Sequence, residues 1–310
     1  MLACLLLCDL KNPQHKTTDA YKFIEKTRDT CRGLYGTSGA GKTRSIFEYL
    51  SHNYGLYFVA SIENDPGSDD LPRIMRKFYT YNSQNLLSDA DSQNTKPRKS
   101  RSESNYHAMD RYISMMIYVR TVIFDAINTH VKLTPYQWLL VQLFPKEAMG
   151  VDLFSTVLQC CLKRAMENDK DYSWYEAMES EYLQDKNKWP WTVMVVDEAQ
   201  VLLNELNDFF LSQDGERPRT AFSAVLRAMT NTVLNLGLEI GYPLVSGTRM
   251  SIQAINDATY SSTAKNPHYD ETETIFDCFK PLDAVAVREY LLTFLTVDLD
   301  APGNEGEVSK

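Results

Sequence analysis

Three short apolar runs along the chain predict strands of a buried sheet. They are residues 56–60 (LYFVA), 191–196 (WTVMVV) and 242–248 (YPLVSGT). Continuous apolar runs of this length, rich in β-branched side chains, are typical of strands covered on both faces in a parallel sheet. A fourth segment, 31–35, is interrupted by Arg32 and Gly33. It predicts either a strand at the sheet edge or one that tertiary contacts impose.

Apolar residues at helical spacing predict helices around these strands. Residues 44–50 carry such spacing, and residues 107–185 repeat it over several helices. Residues 199–236 predict two helices separated by a turn at 213–218. The segment 275–296 is predicted to contain an amphipathic helix, on the spacing of Val285, Val287, Tyr290, Leu291 and Phe294. Strands that alternate with helices in this way are typical of an α/β fold with a parallel core sheet.

Polar segments without hydrophobic periodicity predict the irregular parts of the chain. Residues 83–106 predict a disordered insertion, which contains the basic cluster 96–101 (KPRKSR). Such a cluster is typical either of a solvated loop or of a nuclear-import or nucleic-acid patch. Residues 1–30 predict a lead-in and residues 297–310 a flexible tail. The remaining residues, 31–296, predict one domain.

Composition narrows the class of protein. The chain has 310 residues, of which 44% are hydrophobic and 24% charged, as in an ordinary globular protein. A net charge of −9 argues against a dedicated nucleic-acid surface, although nucleic acid stays open as a partner. The six cysteines form no C-x-x-C pair, which is typical of reduced, intracellular proteins in the cytoplasm or nucleus. No apolar run is long enough to predict a membrane span.

Residues 36–43 (GTSGAGKT) match G-x-x-x-x-G-K-S/T, the Walker A pattern of P-loop NTPases. The glycines allow backbone dihedrals that turn several N–H groups toward phosphates, and the next helix adds its positive dipole end. Lys42 is expected to reach the β- and γ-phosphates, and the Thr43 hydroxyl to bind Mg²⁺. The alternative is a glycine-rich turn before a helix, which would require neither Lys42 nor Thr43. The predicted nucleotide-binding residues are Gly36, Thr37, Ser38, Gly39, Ala40, Gly41, Lys42, Thr43 and Arg44.

An acidic pair follows the strand predicted at 191–196. Asp197 and Glu198 stand at its carboxyl end, which is the Walker B arrangement. Asp197 is expected to hold Mg²⁺ together with Thr43, through water, and Glu198 to act as the general base on the attacking water. The alternative is a core strand followed by a helix whose N-terminus favours acids, with Glu198 merely stabilising the helix dipole.

Polar residues also end the strand predicted at 242–248. In NTPases with an added strand between the two Walker strands, a polar residue here contacts the γ-phosphate or the attacking water. Ser246 and Thr248 are the candidate sensors, and Arg249 is a candidate for sensing the γ-phosphate or bracing Glu198. An ordinary Ser-Gly-Thr turn after a strand is an equal alternative.

The two Walker motifs lie unusually far apart, since Asp197 follows Thr43 by 154 positions. A compact P-loop core needs much less chain, so the spacing predicts a large helical insertion, assigned to residues 107–185. The predicted fold is therefore an α/β P-loop NTPase with a parallel β-sheet core, flanking helices and this insertion.

Taken together, these segments resemble the P-loop NTPase domain of the Crinkler effectors and their retrotransposon-hot-spot relatives. The matching segments are 41–44 (GKTR), 55–58 (GLYF), 67–71 (GSDDL), 195–200 (VVDEAQ), 245–248 (VSGT) and 261–276. The resemblance implies an ATPase of the AAA+/STAND type, delivered into a host cell and often its nucleus. The translocation header and the nuclease-like domain that accompany such modules are not visible in the sequence.

The predicted function is Mg²⁺-dependent binding and hydrolysis of ATP, with GTP as the alternative substrate. Nucleotide state would switch a conformation or an assembly, through self-association or a host protein. Two other functions stay open at this point: a nucleotide-gated interaction protein that scarcely hydrolyses, and a DNA-stimulated translocase or helicase-like ATPase. No membrane partner is predicted.

Overall fold

The fold is α/β, with a five-stranded parallel sheet flanked by helices. The structure is a computed structural model that describes residues 7, 9–26, 32–61, 66–87, 95–167, 180, 189–212, 215–236, 243–248, 275–277 and 279. In the part of the chain so described, no helix combines the length and the apolar character needed to cross a membrane.

The sheet has the strand order β2-β3-β6-β1-β7, and every neighbouring pair is parallel. Its strands are β1 (Arg32–Tyr35), β2 (Gly55–Val59), β3 (Val193–Asp197), β6 (Leu244–Gly247) and β7 (Ile275–Phe276). A separate antiparallel pair joins β4 (Phe210–Leu211) to β5 (Pro218–Arg219).

Of the two alternatives for β1, the structure excludes the edge position, because β1 lies between β6 and β7. Its polar residue is accommodated by local contacts. The buried Arg32 guanidinium lies 5.0 Å from the centre of the Phe23 ring, and its Nη1 donates to the Phe23 carbonyl at 3.2 Å. Tertiary contacts therefore determine this strand, whose sequence favours it only weakly.

The helices pack on the two faces of the sheet. They are α1 (Asp19–Glu25), α2 (Lys42–His52), α3 (Asp70–Asn82), α4 (Thr95–Val131), α5 (Pro135–Leu143), α6 (Pro145–Met149), α7 (Leu153–Glu167) and α8 (Ala221–Leu236). Short 3₁₀ segments occur at Pro13–Thr17, Ser83–Asn85 and Ala199–Leu203.

Alternation along the strands divides the core into two layers. Leu56 and Phe58 of β2 face a large apolar cluster that includes α3, α4, α7 and α8. Tyr57 and Val59 face a smaller cluster that includes α1 and α2, together with Leu139 of α5. The helices between β2 and β3 thus contribute most of one layer and part of the other, and the sheet is buried on both sides.

The prediction of disorder over residues 83–106 is wrong from Thr95 onward, where the 37-residue helix α4 begins. The β4–β5 pair holds this end of the helix. Leu211 N–H donates to Ser102 Oγ at 2.8 Å, and the Asn105 side chain donates to the Phe209 carbonyl at 2.8 Å. These contacts involve polar side chains, which hydrophobic periodicity does not register.

The other predicted elements have mixed outcomes. Helices α4 to α7 cover residues 107–167 of the helical insertion predicted at 107–185, and its remainder lies largely outside the described residues, as does the tail at 297–310. The first helix predicted in 199–236 is wrong, since a 3₁₀ turn and the β4–β5 pair occupy that segment. At the start of the segment 275–296, Ile275–Phe276 forms strand β7. The residues that carry the helix predicted in this segment, 285–294, lie outside the described residues.

A buried ion pair joins α4 to the helix that follows β2. Arg120 donates Nε to Asp70 Oδ2 at 2.8 Å and Nη2 to Asp70 Oδ1 at 2.9 Å, and both side chains are buried. The guanidinium also lies 4.3 Å from the centre of the Phe58 ring and 4.7 Å from that of Phe154. The two hydrogen bonds to Asp70 join α4 to α3, and the contact with the Phe58 ring joins α4 to β2.

We expect Arg120→Leu to lower the free energy of unfolding by about 3–5 kcal/mol, because Asp70 would remain buried without its counter-charge. Urea unfolding followed by circular dichroism measures this loss. Adding Asp70→Asn should recover part of it. The control is Arg73→Leu, which removes an exposed partner of Asp69 and should cost less than about 1 kcal/mol. Equal losses for Arg120→Leu and Arg73→Leu would contradict the prediction.

Candidate functional site

The residues of the Walker A pattern form the loop between β1 and α2. Gly39 and Gly41 have φ values of +76° and +92°, a left-handed conformation that side chains with a Cβ rarely adopt. Gly36 is favoured for a different reason, because a Cβ there would lie 3.1 Å from the Phe279 Cβ, so that one of the two residues would have to shift. The loop is thereby bent into a turn whose last residue, Gly41, is the N-cap of α2.

Lys42 lies buried across this loop. Its Nζ donates to the Gly36 carbonyl at 2.9 Å and to the Thr37 carbonyl at 2.8 Å. Burial lowers the pKa of Lys42 from its ordinary value, while Asp197 and Glu198 nearby act in the opposite direction. To reach a phosphate, the ammonium has only to exchange two carbonyl acceptors for phosphate oxygens.

Thr43 and Asp197 meet at the carboxyl end of β3. The Thr43 hydroxyl donates to Asp197 Oδ2 at 2.9 Å, across 154 residues of sequence. Tyr57 donates its hydroxyl to the same oxygen at 3.0 Å, and the Glu198 N–H donates to Oδ1 at 3.0 Å. The two Walker motifs are thus joined by a direct hydrogen bond.

Asp197 is only 2% exposed, and burial raises the pKa of its carboxyl above the ordinary value. Hydrogen-bond donors around it, Ser246, Thr43 and Tyr57 among them, oppose this rise because they stabilise the charged form. The Ser246 side chain is fully buried beside this carboxylate, at the end of β6.

Glu198 follows with a φ of +53°, a left-handed conformation that turns the chain sharply at the end of β3. Its carboxylate accepts a short hydrogen bond from the Gln200 side-chain amide. The carbonyl of the same amide accepts from the Thr248 N–H at 3.1 Å. Gln200 therefore connects the ends of β3 and β6, so that the acid and one candidate sensor belong to one network.

A cavity of about 970 Å³ opens beside the loop, at the carboxyl end of the parallel strands. This volume is within the range of small-molecule binding sites, and this edge is where α/β sheets bind ligands. The lining residues are Tyr35, Gly36, Thr37, Ser38, Gln200, Leu203, Asn204, Thr248, Asp277 and Phe279.

The donor set suits Mg²⁺. A carboxylate and a hydroxyl are hard oxygen ligands, and Mg²⁺ takes one or two of them while keeping several waters. Among the described residues, no group of three His, Cys, Asp or Glu side chains could cage a metal by itself. A cation at Asp197 and Thr43 would consequently depend on further oxygens from water and a bound phosphate.

The structure brings most of the predicted residues together. The loop, Asp197, Glu198, Ser246 and Thr248 lie together at the carboxyl ends of β1, β3 and β6, whereas Arg249 lies outside the described residues. Of these residues, the cavity is lined by Gly36, Thr37, Ser38 and Thr248. Arg44 has its Nε 2.8 Å from Glu48 Oε1, an ion pair along α2. Sequence reasoning missed Tyr57 and the role of Gln200.

The chain matches no family model, no curated protein and no solved structure with which it was compared.

Proposed function

We propose that the chain is a Mg²⁺-dependent NTPase of the P-loop class that binds and hydrolyses ATP. The observation that carries this proposal is the hydrogen bond between Thr43 Oγ1 and Asp197 Oδ2, 2.9 Å long. These are the residues to which the two motifs independently assign the metal. A chance glycine-rich turn and an unrelated acidic strand end would have no reason to meet through this pair of atoms.

The strand order gives further support. β6 lies between β1, which leads into the loop, and β3, which carries the acids. It brings Ser246 and Thr248 to the same sheet edge as both motifs. This is the added-strand arrangement in which polar residues at the end of the middle strand sense the terminal phosphate, the role that we propose for these two residues and for Arg249.

In the proposed mechanism, different residues of the chain bind the phosphates, hold the metal and accept a proton. Backbone N–H groups of the loop, with Lys42 and Arg44, would bind phosphate oxygens, while Asp197 and Thr43 would hold Mg²⁺. The metal, when bound, neutralises charge on the phosphates. Glu198 would take a proton from the attacking water while the water oxygen bonds to the γ-phosphorus. The bond between the γ-phosphorus and the β–γ bridging oxygen would break at the same time. The products are ADP and inorganic phosphate.

The wider assignments rest on sequence. We propose ATP before GTP because the chain has no Asn-Lys-x-Asp guanine motif. The likeness of its segments to Crinkler-type NTPase domains supports an effector-type module, delivered to the cytoplasm or nucleus of a host. Its nucleotide state would control self-association or the binding of a host protein.

A second candidate is a nucleotide-gated interaction protein with little hydrolysis. The contact between Gln200 and the Glu198 carboxylate favours it, because the Gln200 amide occupies one of the acceptor sites of the acid that would take the proton. The two candidates differ in turnover, not in nucleotide binding.

Purified protein distinguishes them. Binding of fluorescent ATP and GTP analogues with Mg²⁺ tests the site, and single-turnover hydrolysis of radiolabelled ATP tests the chemistry, each with and without DNA. We expect Mg²⁺-dependent ATP binding and DNA-independent hydrolysis. Binding without hydrolysis would favour the gated protein, and stimulation by DNA would favour a translocase. Absence of nucleotide binding would refute the proposal.

A further inference from the structure

Tyr57 belongs to no motif, yet its hydroxyl reaches the acid of the proposed metal site. It lies on β2, buried to 1% exposure, within the apolar layer that faces α2. Its ring packs edge-on against Phe47, with 5.4 Å between the ring centres. From this apolar position the hydroxyl donates to Asp197 Oδ2 at 3.0 Å. A phenylalanine would pack equally well here, so packing does not account for the hydroxyl.

The hydroxyl restricts the orientation of the Asp197 carboxylate. Oδ2 accepts from both Thr43 and Tyr57, and Oδ1 accepts from the Glu198 N–H. The Thr43 oxygen keeps a lone pair for a cation while its hydrogen still points at Oδ2. Tyr57, like the Glu198 N–H, is a donor that lies outside the loop. It can therefore hold the carboxylate in one rotamer whether or not the loop changes shape.

The main chain of Tyr57 is itself held from outside the sheet. β2 pairs with β3 on one side, and in the described sheet it has no strand on the other. On that open side the Tyr57 N–H donates to Gln142 Oε1 at 2.9 Å, and Arg120 Nη1 donates to the Tyr57 carbonyl at 2.5 Å. Arg120 also donates to Gln142 Oε1 at 3.1 Å, and both side chains are fully buried.

These two side chains thus replace a neighbouring strand at one residue of β2. Arg120 comes from α4 and Gln142 from α5, both of which lie between the Walker motifs in sequence. A continuous set of hydrogen bonds runs from Arg120 and Gln142 through Tyr57 to Asp197. The helices inserted between the motifs are therefore connected to the proposed metal site by buried polar contacts, in addition to apolar packing.

We propose that Tyr57 is a positioning residue for Mg²⁺ binding by Asp197, and that Gln142 and Arg120 hold it in place. The inference rests on the proposed nucleotide site and deepens it. It makes the inserted helices part of the metal site, since moving α4 or α5 would move Tyr57. Residues that orient a metal ligand typically change metal affinity about 10- to 100-fold when they are altered.

The test compares nucleotide affinity with and without the metal. A fluorescent ATP analogue is titrated into the parent and into Tyr57→Phe, once with Mg²⁺ and once with EDTA. Mg²⁺ is expected to raise the affinity of the parent for the analogue. In Tyr57→Phe we expect this Mg²⁺-dependent gain to be about 10-fold smaller, while the affinity in EDTA stays at the parent value. The EDTA titration also serves as the check that the variant has folded. In steady-state hydrolysis the Mg²⁺ concentration for half-maximal rate should rise by a similar factor.

Tyr106→Phe is the matched control. It removes another buried tyrosine hydroxyl, which donates to the Leu211 carbonyl at 2.9 Å, remote from Asp197. It should leave the Mg²⁺-dependent gain in affinity unchanged. Gln142→Met should reduce that gain in the same direction as Tyr57→Phe, and the double variant should lose no more than Tyr57→Phe alone, because Gln142 acts through Tyr57.

The outcomes separate the two proposals. If the parent fails to bind the analogue, the proposed function fails and this inference fails with it. If the parent gains affinity from Mg²⁺ and Tyr57→Phe gains equally, only the inference is overturned. An equal loss in EDTA and in Mg²⁺ would also overturn it, because Tyr57 would then support the pocket and not the metal.

Discussion

Replacing Lys42 with alanine is expected to abolish nucleotide binding. The ammonium lies across the loop, bonded to two carbonyls at 2.9 and 2.8 Å, and is positioned to donate to phosphate oxygens instead. Each charge-assisted bond of this kind is worth about 1.5–3 kcal/mol, so losing two should weaken binding about 100-fold or more. Isothermal titration calorimetry with ATP and Mg²⁺ measures the effect.

The control for this prediction is Lys22→Ala, which removes an exposed lysine from α1. It changes the net charge equally and should leave nucleotide affinity at the parent value. Urea unfolding of both variants checks that the loop change has not unfolded the protein. Retention of parent affinity by Lys42→Ala would mean that the loop does not bind phosphate.

Glu198→Gln is expected to bind ATP with parent affinity and to lose most hydrolysis. The amide is isosteric with the carboxylate, and its oxygen can still accept from Gln200, but it cannot take a proton from water. Loss of a general base costs about 10²- to 10⁴-fold in rate. Single-turnover hydrolysis at saturating ATP measures the chemical step directly.

Glu205→Gln, at an exposed position after β3, makes the same change of charge and serves as the comparison. It should hydrolyse ATP at the parent rate. Hydrolysis by Glu198→Gln as fast as the parent would show that another group accepts the proton. If neither the parent nor Glu205→Gln hydrolyses ATP although both bind it, the nucleotide-gated candidate would be favoured.

Part of the site could be predicted because its chemistry depends on local residue types. The loop needs glycine at Gly39 and Gly41 for positive φ, and these requirements appear directly in the sequence. The strand ending at Asp197 could be predicted because it is covered on both faces and therefore continuously apolar. In both cases one short segment contains the whole physical reason for its structure.

The errors occurred where distant segments decide the local structure. β1 contains Arg32 and Gly33, which disfavour a strand, but pairing with β6 and β7 outweighs that weak preference. The first turns of α4 appeared too polar for an ordered helix, yet Ser102 and Asn105 bond to a strand pair more than a hundred residues later. No window around residue 100 contains those partners.

Tyr57 and Gln200 were missed for a similar reason. A tyrosine in an apolar strand predicts core packing, and only the register of β2 against β3, with Val59 beside Asp197, brings its hydroxyl to the acid. Gln200 follows the acidic pair in sequence, but its second partner, Thr248, is on another strand. Knowledge of the strand order would have been enough to suggest both contacts.

The position of β1 in the sheet also determines when the site can form during synthesis. In the described sheet, β1 pairs only with β6 and β7, which begin at Leu244 and Ile275. Helices α3 to α8 leave the ribosome before either strand and can already pack on one another. The loop at residues 36–43 is made well before them and must wait for residues 244–276 before its strand, β1, has neighbours. A nascent chain would therefore carry a folded helical layer well before the proposed nucleotide site could form.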